Sequence, residues 1–126
     1  MSEKPKARDY RDLIVWQKGI SLARKTYELT SRFPSDERFG LISQMRRAAI
    51  SVPANVAEGQ ARRTTGEFVQ SISHAEGSLA ELDTHLVLSI EFNDCSPNQV
   101  AELHSSISEL RRMLNALRRT LRESPR

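Results

Sequence analysis

The chain has a single cysteine, Cys95, so no internal disulfide can form. Its stability must come from buried apolar side chains, and a reducing cytoplasm is the expected setting. Cys95 falls in a loop of the sequence pattern and reads as an ordinary surface thiol; a reactive or interchain thiol is the alternative. One cysteine cannot build a zinc site. Glu-x-x-His is missing, which argues against a di-iron bundle centre, and so is His-Glu-x-x-His. The five glycines are dispersed, leaving no Gly-rich phosphate loop and no Gly-x-Ser-x-Gly elbow. Aromatics make up only 6%, too few for a base-stacking platform that reads single strands. No apolar run approaches the roughly 18 residues of a membrane span, and Met1 to Asp9 lacks the apolar segment of a secretory signal. The expectation is a protein without catalytic residues, metal, cofactor or membrane contact.

What the chain does have is charge and helical periodicity. Of 126 residues, 28% are charged, with a net charge of +3; this indicates one soluble domain, basic enough to permit a nucleic-acid partner without requiring one. Residues 1–8 read as a disordered basic lead-in broken by Pro5, 9–122 as the folded domain, and 123–126 as a frayed tail. A first helix is expected over 9–32. Leu13, Trp16, Ile20, Ala23 and Tyr27 recur at three-four spacing and give its main seam. A second row, Val15, Leu22 and Leu29, repeats every seven residues well over 90° away. Its regularity suggests a subunit interface; scattered surface aliphatics are the alternative. Phe33-Pro34 ends this helix, and Ser35 or Asp36 can cap a second over 36–61. Arg62 to Gly66 makes a short connection, with Thr64 or Thr65 as the next cap. The third helix, over 66–92, has Phe68, Ile72, Ala75, Leu79, Leu82, Leu86 and Ile90 as its seam, and Gly77 suggests a close helix approach. After a turn at Asn93 to Pro97, Val100, Leu103, Ile107, Leu110, Leu114, Leu117 and Leu121 form the clearest heptad pattern of the chain. Four long helices with short links favour an all-α, up-down-up-down bundle.

The most informative stretch is Gln44 to Gly59. Leu41, Met45, Ala49, Val52 and Val56 share one face, and beside them runs a polar row of Gln44, Arg47, Ser51, Asn55 and Glu58. Pro53 interrupts the hydrogen bonding, but the apolar register resumes at Val56, so a kink is expected and not a break. Gly59 reads as a helix stop. The run Gln44-x-x-Arg47-Ala-x-x-Ser51-Val-Pro-x-Asn55-Val-Ala-Glu58-Gly59 resembles the signature of the bacterial four-helix-bundle family encoded in intervening sequences of 23S ribosomal RNA genes. Asp12-Leu-Ile-Val-Trp16, Arg32-Phe33-Pro34 and Ala75-Glu-Gly-Ser78-Leu-Ala-Glu81 fit the same family. The resemblance implies an antiparallel four-helix bundle assembled as a ring-like homopentamer, with no established reaction. It also points to distant relatives that act as nucleic-acid-binding accessory proteins of retroelement reverse transcriptases.

Three residue sets follow. Arg47, Ser51, Asn55 and Glu58, reaching towards Ser78 and Glu81, read as a polar network that fixes which helix faces meet; lining a ring lumen or ligand groove is the alternative. His74, Ser78, Glu81 and His85 share a helix face and read as a polar strip more readily than as metal ligands. Arg46, Arg62, Arg63, Arg111, Arg112, Arg118, Arg119 and Arg122 form a basic surface suited to phosphate, because a planar guanidinium meets two phosphate oxygens at once. The reading is a non-enzymatic, self-associating protein that binds RNA or DNA through these arginines. The alternative is an adaptor for a protein encoded nearby.

Overall fold

The computed structural model describes residues 9–123, apart from the side chains at 38 and 39. The expected lead-in over 1–8 and the last three residues of the expected tail lie outside the described residues; Glu123 still belongs to the last helix. Four helices make the fold, and no strand occurs among the described residues: α1 Ile14–Thr30, α2 Ser43–Ala61, α3 Thr65–Glu91 and α4 Pro97–Glu123.

Their boundaries follow from local chemistry. Asp9 accepts a hydrogen bond from the Arg11 amide and opens a 3-10 turn, Tyr10–Asp12. Leu13 is then extended, so α1 starts at Ile14, later than the sequence pattern suggested. Between α1 and α2 a 3-10 turn (Ser35–Glu37) leads into a π-helical turn (Arg38–Ile42). Neither Ser35 nor Asp36 therefore caps α2. At α3 the Thr64 hydroxyl accepts from the Glu67 amide while Glu67 accepts from the Thr64 amide, a reciprocal cap that satisfies two free donors. Ser96 and Gln99 make the same exchange at α4. The chain leaves α3 through Asn93, whose φ of 63° is a left-handed conformation that asparagine tolerates better than most residues.

α2 packs on α1 and α3, and α4 packs on α3 and α1, which sets α1 and α3 on opposite corners. Partners meet in reversed order along each pair. On α1 and α2, Gly19 lies against Pro53 and Thr30 bonds Arg46. On α2 and α3, Met45 meets Ser89 and Ser51 meets Ser78. On α3 and α4, Glu76 pairs with Arg118 and Asp83 with His104. Between α1 and α4, Lys18 pairs with Glu109 and Lys25 with Glu102.

On α1 the expected seam is divided: Leu13, Trp16 and Ala23 pack partly buried against the core, but its centre lies on the second row. Val15, Leu22 and Leu29 are only 5%, 1% and 5% exposed and belong to the core, whereas Ile20 and Tyr27 are 40% and 41% exposed. These three aliphatic residues therefore cannot be the expected subunit stripe. The buried row is Val15, Gly19, Leu22, Thr26, Leu29 and Thr30, a complete three-four seam. Thr26 and Thr30 enter it because each hydroxyl donates to the carbonyl four residues back, at 2.8 Å, so neither is buried unsatisfied. Gly19 lets α2 come close: an added Cβ would lie 3.2 Å from Pro53 Cβ. Gly59 also serves close approach and does not stop α2, which runs on to Ala61. Gly77, expected at a close approach, has no atom within 4 Å of an added Cβ. Among the described residues, no helix is long and apolar enough to cross a membrane.

Candidate nucleic-acid interface

The polar row of α2 contracts to Ser51 and Asn55, joined by Ser78 of α3. Ser51 Oγ lies 2.5 Å from Ser78 Oγ and 2.8 Å from the Ala48 carbonyl. A hydroxyl has one proton, so Ser78 donates to Ser51 while Ser51 donates to Ala48. Asn55 Nδ2 donates to the Ser51 carbonyl at 2.7 Å. The acceptor that Pro53 leaves free is the Ala49 carbonyl, four residues back, so Asn55 serves a different one. Glu58 turns instead to Arg62, at 2.7 Å. Arg47 and Glu81 are exposed and have no ion-pair partner among the described residues. The expected six-residue network is thus a Ser51–Ser78 clasp between α2 and α3, with Asn55 tied back to the backbone of α2. His74 is exposed while His85 is buried with Nδ1 unpartnered, so the strip they were expected to share is split between surface and core.

Cys95 is half-buried next to Asp94. Burial first, and the Asp94 charge second, push its thiol above the ordinary value, which favours the protonated, unreactive form.

The eight candidate arginines fall into two regions. Because partners meet in reversed order, the end of α2, the start of α3 and the end of α4 lie together, and this end carries Arg62, Arg63, Arg118, Arg119 and Arg122. Arg62 pairs with Glu58 at 2.7 Å and with Glu67 at 3.9 Å, and the hydrogen bond it donates to Glu58 holds its guanidinium above the ordinary pKa. Arg118 is drawn inward to Glu76, with further bonds to Asn115 and Ser73. Arg63, Arg119 and Arg122 are exposed and have no ion-pair partner among the described residues. Arg111, further along α4, is similarly free of ion pairs among them. Among the described residues, Arg112 bonds Ser108, at 2.9 Å.

Arg46 belongs elsewhere. It sits roughly 22 Å from Ala61 along α2, at about 1.5 Å per residue. Its guanidinium lies over the Tyr27 ring, 4.3 Å from the centroid, and its Nε donates to Thr30 Oγ1 at 2.9 Å. With Arg47, Tyr27, Ile42, Ile50 and Ala54 it lines a groove of about 670 Å³ between α1 and α2. Sequence reading missed this groove. The available signal was the outward line Ser43, Arg46, Ile50 and Ala54 on α2, opposite the helix's own seam.

The family model for the 23S rRNA-intervening sequence protein matches residues 11–116. Among solved structures, the chain is similar to a protein with unknown function from the S23 ribosomal protein family of Bacteroides thetaiotaomicron. The TM-score is 0.74 at 19% identity, over 83% of this chain and 98% of that one, a likeness of fold. No curated protein matches the chain.

Proposed function

The chain belongs to the 23S rRNA-intervening sequence protein family, and from that premise we propose that it is a non-enzymatic nucleic-acid-binding accessory protein of the cytoplasm. Its four helices form an antiparallel up-down-up-down bundle, a reading supported by the reversed order of partners along every packed pair. The bundle assembles as a homopentameric ring, in keeping with the family resemblance. RNA or DNA phosphates contact the arginine end of each subunit.

One observation carries the binding role: Arg63, Arg119 and Arg122 stand exposed at one end of the bundle, with no carboxylate neutralising them among the described residues. Arg118 is a poor phosphate ligand by comparison, since Glu76 already holds it. Repetition around a ring would multiply weak contacts into useful avidity.

The test is the salt dependence of binding to mixed RNA and to duplex DNA. On duplex DNA the log-log slope should approach about −0.9 per phosphate neutralised. Replacing Arg63, Arg119 and Arg122 with Gln should flatten it and weaken binding similarly across sequences, because phosphate contacts carry no base information. A wild-type chain that binds no nucleic acid at low salt, and co-purifies with one particular protein, would replace this reading with the adaptor.

A further inference from the structure

We propose that the groove between α1 and α2 receives the outer face of α3 from a second copy of the chain. This rests on the self-association proposed above and names the two faces that join.

The groove face is apolar at its centre and positive at its rim. Tyr27 and Ile50, which line it, are 41% and 47% exposed; Ile20, 40% exposed, lies two turns before Tyr27 on the same face of α1. Single exposed aliphatics are ordinary, but two large exposed residues facing one groove, continued along α1 by Ile20, make a patch that water does not favour. Arg46 and Arg47 stand beside them, with no carboxylate in an ion pair with either among the described residues.

The outer face of α3 carries the complement. Ala80, Thr84, Val87 and Glu91 follow one another at three-four spacing and share a line on the helix. Val87 is 50% exposed. Glu91 lies on this line and Glu81 flanks it; both are exposed, and neither has an ion-pair partner among the described residues. Gly77 continues the same face. Mid-helix glycine is costly, and among the described residues no packed neighbour comes within 4 Å of an added Cβ there. A helix packed from outside would use that space.

Charge sign decides how the faces pair. Groove on groove would set arginine against arginine, and α3 on α3 would set glutamate against glutamate. Groove on α3 sets opposite charges together around matched apolar centres. Since α1 and α3 occupy opposite corners of the fold, the two faces point in different directions and no two-fold pair satisfies both. The contact is head to tail, so each copy receives one neighbour and inserts into another until a ring closes.

Mixing two variants tests this. Arg47→Glu with Ile50→Glu disables the groove; Glu81→Lys with Glu91→Lys disables the α3 face. All four positions are exposed, so circular dichroism should stay as in the wild type. By light scattering, the wild type should exceed monomer mass at micromolar concentration and each variant alone should be monomeric. An equimolar mixture should give a 1:1 dimer, through the one groove and the one α3 face left intact. If a charge reversal impairs folding, Arg47→Gln and Glu91→Gln should each raise the dissociation constant by roughly tenfold. A monomeric wild type would sink the self-association reading itself. A wild type that assembles, with variants that assemble equally well or a mixture that stays monomeric, would overturn this choice of faces while leaving self-association standing.

Discussion

At Gly59 an added Cβ would lie 2.6 Å from Ser71 Cβ and 2.8 Å from Phe68 Cδ1, with both neighbours fixed in α3. Gly59→Ala should therefore cost about 1–3 kcal/mol through overpacking. Gly77→Ala, in open space, should gain about 0.5–1 kcal/mol of helix stability. Urea unfolding of the two variants, each in a monomeric background, compares them directly. Leu22 carries the correction on α1: Leu22→Ala should cost about 2–5 kcal/mol, and Leu22→Glu should abolish the fold instead of releasing folded monomers, as circular dichroism would show. The Glu37 carboxyl is held above its ordinary value, first by a hydrogen bond shared with Asp94 and then by burial and neighbouring carboxylates. A raised acid binds its proton more tightly in the folded state, so stability should fall as pH rises from the ordinary glutamate pKa through the raised one. Glu37→Gln should remove that decline in pH-dependent unfolding.

Among the elements, α3 and α4 were legible because their seams are spelled in leucine, isoleucine and phenylalanine, which announce burial without help from neighbours. The apolar face of α2 was legible for the same reason, from Met45 to Val56. On α1 the buried face is spelled partly in Gly19, Thr26 and Thr30. Hydrophobic periodicity cannot count such residues, since a threonine becomes buriable only through the carbonyl its own helix supplies. The expected stripe, with half-buried Trp16 and exposed Ile20 and Tyr27, looked more apolar than the core stripe. The π-helical entry to α2 left no signal either, because it depends on the path between two packed helices. The α3 cap was legible in Thr64 and Glu67. Thr64→Ala should cost about 1 kcal/mol, and faster hydrogen exchange confined to the first turn of α3 would check it.

For the whole molecule, the arginine end and the α1–α2 groove are separate surfaces with separable consequences. Replacing Arg63, Arg119 and Arg122 with Gln should leave the assembled mass unchanged. Disabling the groove should weaken nucleic-acid binding although no arginine of the binding end is altered, because monomers forfeit multivalent attachment; binding isotherms beside light scattering separate the two. The packing order has a kinetic consequence as well. Three of the four packed helix pairs, α1 with α2, α2 with α3 and α3 with α4, are consecutive in the chain, so each hairpin closes locally. Only α1 against α4 requires the chain to come full circle. Such local topology places folding in the microsecond-to-millisecond range, with the α1–α4 seam and its Lys18–Glu109 and Lys25–Glu102 pairs the last to zip.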